Sequence, residues 1–181
     1  MKPLSWIIAF DPGVSTGISM GRFSENRPFE HVNSWQVSGG LMGLILGKYL
    51  EDFREDSSGN EYHIISEKFV PLSGGGFHHT LDSVEPLRIE GALIARGLMP
   101  DYPDPRWQRA SSQVIKGGRT PAERKKNSDN LLREHGMWMT GKDVWQPDAN
   151  DANSATKHIL WYMKNTLKHE PTIKEFWPDE F

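Results

Sequence analysis

The chain has 181 residues, 36% of them hydrophobic, and a formal net charge of -3. That length suits one domain with a sizeable core, and no apolar run approaches the ~20 residues of a membrane helix. Cysteine is absent, which excludes disulfides and thiolate-bound zinc and makes a cytoplasmic setting the expectation. The stretch Met1 to Trp6 carries one Lys and little apolar length, so a secretory leader is not expected.

Residues 5 to 10 read as a short buried strand, followed by a turn punctuated by Pro12, Gly13 and Gly17. Ile18 to Phe23 and His31 to Ser38 read as two further strands, giving a three-stranded antiparallel meander. Leu41 to Arg54 has helical spacing through Leu41, Leu44, Ile45 and Tyr49. Tyr62 to Glu67 is the next strand, and the Gly-rich residues 71 to 80 resemble a linker. A helix is predicted over 81–97, with Leu87, Gly91, Ile94 and Leu98 on one face, and a short strand within 107–115. Thr120 as N-cap and Pro121 at the first helical position open a helix to His135. The last helix is predicted over 148–167. Strands alternating with helices imply an α/β fold. The expected division is one domain over 1–170 and an acidic, aromatic tail over 171–181.

Charge is unevenly spread. From Arg106 to Lys126 there are seven bases against Glu123, while residues 170 to 181 hold four acids against Lys174. A local basic stripe suits a phosphate backbone even in an acidic chain, although a solvated surface would read the same way.

Four carboxylates stand out. Asp11 closes the run Trp6 to Phe10, and Glu67 closes Ile64-Ile65-Ser66. Asp148 and Asp151 are three apart at the start of the last helix and so share a face. Acids crowd together only when a cation offsets their repulsion. An oxygen-only cluster suits Mg²⁺ or Mn²⁺, and a pair of such ions ~3.5–4 Å apart stabilises both oxygens of a displacement at phosphorus. Taken singly, Asp11 suits an Asp-Pro-Gly turn and Asp148 a helix N-cap.

Phe10-Asp11-Pro12-Gly13-Val14-Ser15-Thr16-Gly17, Ile65-Ser66-Glu67, the helix Glu85 to Leu93, and Asp148-Ala149-Asn150-Asp151-Ala152 together resemble the motifs of RuvC-type Holliday junction resolvases. The resemblance runs from about residue 6 to 163, and its divergent middle points to a bacteriophage-type member. It implies a ribonuclease H-like fold: a five-stranded mixed sheet with helices on both faces. It also implies two Mg²⁺ or Mn²⁺ ions held by Asp11, Glu67, Asp148 and Asp151, with Asp11 as the bridge, a homodimer, and branched DNA as substrate.

The same resemblance gives Lys116 the role of a catalytic lysine on the scissile phosphate. The second such lysine falls among Arg124, Lys125 and Lys126, and Arg119 joins them as a DNA contact. The family places an aromatic wedge three residues after its catalytic Glu; here Val70 holds that place, so Phe69 or Phe77 is the expected wedge. His158 lies two helical turns beyond Asp151 on the same side and could approach a metal or phosphate, with an ordinary helix histidine as the expectation; His78 and His79 are expected to be loop surface. The tail Glu175 to Phe181 is similar to the tips by which single-stranded DNA-binding proteins recruit partners. It is a candidate contact for a replication or recombination protein or for the basic stripe, with a plain tail as the default.

Three other readings stay open. One is a less specific nuclease of the same fold acting on flaps, forks or RNA-DNA hybrids. Another is an actin-like nucleotide-binding protein, which needs a second phosphate loop. The last is a non-catalytic junction-binding protein.

Overall fold

The computed structural model describes residues 4–38, 61–70, 81–101, 103–140 and 150–180. Strands β1 (Ser5–Asp11), β2 (Ser15–Ser24) and β3 (Arg27–Ser38) form the expected antiparallel meander, with Asp11 opposite Gly17 and Phe10 opposite Ile18. Strand β4 (Glu61–Glu67) pairs parallel with β1, and β5 (Trp107–Gln108) pairs parallel with β4. The sheet therefore runs β3-β2-β1-β4-β5, five-stranded and mixed, as the ribonuclease H-like expectation has it.

The central strand β1 is buried on both faces, which explains its continuous apolar run. Ile7 and Ala9 point to one side, where α2 (Pro121–Glu134) and α3 (Asn150–Asn165) supply Leu131, Leu132, Ala155, Ile159 and Met163. Ile8 and Phe10 point to the other, against Ile89 and Leu93 of α1 (Leu81–Ala95). Helices thus cover both faces. Thr120 and Glu123 close a full capping box at the start of α2, each side chain bonding the other's backbone N–H. No helix among the described residues is long and apolar enough to cross a membrane.

Two expectations change. The strand sought within 107–115 is only Trp107–Gln108, after which Ala110–Gln113 turns as a 3₁₀ helix. The tail is also not loose. Residues Glu170–Phe176 form α4 and Pro178–Glu180 a 3₁₀ turn, with Thr172, Phe176 and Trp177 buried. Phe176 and Trp177 join the core with Ile115 and Leu132, and the Trp177 indole N–H donates to the Ile115 carbonyl at 2.9 Å. The Thr172 hydroxyl accepts the Phe29 N–H at 2.9 Å. Burying two aromatic rings outweighs the solvation of the few acids beside them. This withdraws Phe176 and Trp177 from a recruiting tip; Phe181 lies outside the described residues. The predicted helix over 41–54 and the Gly-rich stretch 71–80 lie outside the described residues.

Candidate metal centre

The parallel register of β1 and β4 sets Phe10 beside Ser66, so Asp11 and Glu67 leave the sheet at the same level on neighbouring strands. Helix α3 crosses above them. Its residues Asp151, Ser154 and His158 are spaced i, i+3 and i+7, and so lie along one face. Gly17 permits the approach: a Cβ there would lie 1.9 Å from the Asp151 carbonyl oxygen. The Asp151 N–H donates to the Gln36 side-chain oxygen at 3.2 Å, tying the helix start to β3.

Around the carboxylates the contacts are specific. Glu67 Oε2 accepts from Gln113 Nε2 at 2.9 Å and lies 2.9 Å from His158 Nε2. The Ser154 hydroxyl can give its one hydrogen either to the Gln113 side-chain oxygen, 3.1 Å away, or to the Asp11 carboxylate. His158 is fully buried, with Nδ1 2.8 Å from Gln108 Oε1, while Gln108 Nε2 donates to the His158 carbonyl at 3.2 Å.

The electrostatics follow from burial and crowding. Burial, then the charges of Glu67 and Asp151, push the Asp11 carboxyl well above its usual 3.8. Burial also acts to raise Glu67, but the hydrogen bond and charge of His158, with Gln113 and Asp11 behind them, hold it below its usual 4.5. Burial raises Asp151 against a hydrogen bond from Ser15. Asp11, Glu67 and His158 can each offer one ligand atom within 4.8 Å of the others. Two carboxylates and an imidazole gathered this closely fit a divalent cation.

The predicted residues divide accordingly. Asp11 and Glu67 come together, and Asp151 is close enough for its charge to act on Asp11. Asp148 lies outside the described residues, as do Phe77, His78 and His79. Lys116 is half-buried on a fixed backbone: the N–H groups of Ile115 and Lys116 both donate to the Ser128 hydroxyl, at 3.1 and 3.2 Å. It stands three residues beyond Gln113, which touches Glu67. Arg119, Lys125 and Lys126 are exposed at and beyond the start of α2, and Arg124 is half-buried. Phe69 is half-buried, with its N–H bonded to the Glu90 carboxylate. His158 is corrected from a plain helix histidine to a member of the cluster, because its ring faces the strand ends. Gln108, Gln113 and Ser154 were missed. The one available signal was that Ser154 and His158 continue the Asp151 face of the helix.

Comparison with protein-family models finds no match, nor does comparison with curated protein sequences. Among solved structures, one described as T. thermophilus RuvC in complex with Holliday junction substrate is similar over 90% of this chain and 96% of that chain, at 12% identity and a TM-score of 0.48.

Proposed function

We propose that this protein is a metal-dependent endonuclease that cleaves branched DNA, resolving four-way junctions by paired phosphodiester hydrolysis. The observation that carries this reading is the convergence of Asp11 and Glu67 at adjacent strand ends beneath the α3 face bearing Asp151. Crowded, half-buried carboxylates are unfavourable without a cation, and the donor set suits Mg²⁺ or Mn²⁺. Asp11, Glu67 and Asp151 would hold the ions, with Asp148 completing the set by its place in the motif. Bound there, such ions stabilise charge on the attacking and leaving oxygens of the phosphodiester.

The remaining residues orient and position. Gln113 and His158 fix Glu67, and Ser154 fixes Asp11, so neither carboxylate needs to reorganise as charge develops. Lys116 would meet the scissile phosphate, while Arg119, Arg124, Lys125 and Lys126 would follow the flanking backbone. Phe69 or Phe77 would stack on bases unpaired at the branch. Two opposed cuts need two sites, hence a homodimer; the divergent middle of the motif set supports a bacteriophage-type member.

The test is cleavage of a labelled four-way junction, a flap and a linear duplex with Mg²⁺, Mn²⁺ or EDTA, beside Asp151→Asn. Symmetric paired nicks confined to the junction, lost with EDTA and in the variant, are expected. Equal cutting of flaps would move the reading to a general branched-DNA nuclease. Tight junction binding without any cleavage would leave a non-catalytic junction-binding protein.

A further inference from the structure

We infer that His158 is a nitrogen ligand in this centre, which would make it a mixed oxygen and nitrogen site that favours Mn²⁺ over Mg²⁺. The inference rests on the nuclease reading and adds the identity of the ion.

The ring's orientation is set by Gln108. The Gln108 amide N–H₂ donates to the His158 carbonyl at 3.2 Å, so its oxygen is the atom facing Nδ1 at 2.8 Å. Nδ1 therefore carries a hydrogen and donates it. Nε2 is therefore the ring atom that faces Glu67 Oε2, 2.9 Å away, and the one a bound ion would share with that carboxylate. On an octahedral ion with ligands at ~2.0–2.1 Å, two adjacent donors are about 3 Å apart, which is the spacing seen. Asp11 supplies the third donor within reach.

The surroundings match those of a ligating imidazole. Such rings commonly give their other N–H to a side-chain or backbone oxygen, and that outer partner fixes the tautomer. His158 is fully buried, so the ring has no alternative rotamer in solvent. An imidazole donor is tolerated far better by Mn²⁺ and later metals than by Mg²⁺, which prefers oxygen.

The experiment is pulsed electron paramagnetic resonance of the whole protein loaded with MnCl₂, using natural-abundance and ¹⁵N-histidine-labelled protein. Expected is a directly bound ¹⁴N coupling that is replaced by ¹⁵N on labelling and is lost in His158→Asn. Gln108→Ala should weaken Mn²⁺ binding by about 10-fold to 100-fold, as loss of an outer-shell partner does, with a smaller effect on Mg²⁺. Bound Mn²⁺ with oxygen ligands only would overturn the inference and leave the nuclease reading standing. So would a nitrogen coupling that persists in His158→Asn. Mn²⁺ that stays fully hydrated in the presence of protein would overturn both. The wild-type spectrum decides the matter even if a variant fails to fold.

Discussion

Gly17 and Asp151 meet backbone to backbone: a Cβ on Gly17 would lie 1.9 Å from the Asp151 carbonyl oxygen and 2.0 Å from its carbon. Gly17 is also the ladder partner of Asp11. One glycine thus sets the height of α3 above the strand that carries the central carboxylate. Gly17→Ala should push the start of α3 away from the sheet, because the opposing atoms are backbone and cannot rotate aside. Cleavage should fall by at least tenfold. Stability should drop by about 1–3 kcal/mol, the usual range for overpacking. Thermal melts and single-turnover cleavage, run side by side, check this; near wild-type cutting would mean that the spacing of Asp11 and Asp151 is not critical.

Asp11 should destabilise the metal-free protein at neutral pH. Its carboxyl is held above 3.8 in the fold, so the folded chain binds a proton there more tightly than the unfolded chain does. The stability this contributes is full below about 3.8 and is lost as pH rises through the raised value. Glu67 acts in the opposite sense: held below 4.5, it contributes stability above that value which is lost as pH falls. Asp11→Asn should therefore abolish cleavage yet raise metal-free stability at neutral pH. It should also flatten the fall in stability as pH rises above about 3.8. Denaturant melts in EDTA are the measurement, and an Asp11→Asn protein less stable than wild type would count against the crowded cluster.

These two residues were legible in the sequence because local pattern fixes them. An apolar run ending in an acid is a strand delivering a carboxylate, and a second such run on a parallel neighbour delivers another. The capping box at Thr120 and Glu123 was half legible, since Thr120 and Pro121 mark the helix start. Gln108 and Gln113 were not legible as site members, and His158 only as a residue on the Asp151 side of its helix. Gln108 reaches His158 across 50 positions, and Gln113 reaches Glu67 across 46. Both come from a two-residue strand and a single 3₁₀ turn, too short to show any period. The C-terminal segment misled through composition: its acids suggested a solvated tail. The apolar set Ile173, Phe176 and Trp177, spaced i, i+3 and i+4, was the signal for a packed helix.

Lys157 of α3 pairs with Asp129 of α2, with side-chain exposures of 6% and 15%. The pair fixes the helix that carries Ser154 and His158 against the helix that carries the last three bases of the basic stripe. Asp129→Ala leaves an ammonium buried without its partner and should cost about 3–5 kcal/mol. Replacing both, as Lys157→Met with Asp129→Leu, should recover most of that loss, since apolar pairs of similar volume substitute well for buried ion pairs. A double-mutant cycle by denaturant unfolding measures both quantities. Equal losses in the single and double variants would show that packing around the two stems, rather than the charge pair, holds the helices together.

Trp177 holds the Lys116 segment in place through its 2.9 Å bond to the Ile115 carbonyl. Trp177→Phe should keep much of the apolar packing and lose that bond, leaving a buried carbonyl unpaired at a cost of about 1–3 kcal/mol. Removing residues 170–181 should cost more, because Phe176 leaves the core as well. If the tethered segment presents Lys116 to the scissile phosphate, Trp177→Phe should also slow single-turnover cleavage at saturating protein while leaving junction affinity within about twofold. A stability loss with an unchanged cleavage rate would show that the tether is structural only.

The basic residues should then separate by what each substitution alters. Lys116 sits on a backbone pinned by Ser128, three residues from a Glu67 partner, whereas Lys125 and Lys126 are exposed on the first turns of α2. A lysine that meets the reacting phosphate stabilises charge that grows in the transition state, so Lys116→Ala should lower the cleavage rate by about 10²-fold with little change in affinity. A lysine that meets only the flanking backbone contributes by releasing counterions. Lys125→Ala and Lys126→Ala should each weaken junction binding and reduce the slope of log K against log salt by about one, with cleavage at saturation preserved. Binding isotherms over a salt series, paired with single-turnover rates, place each residue in one class. A Lys116→Ala protein that shows only the salt effect would move Lys116 out of the catalytic set and into the binding face.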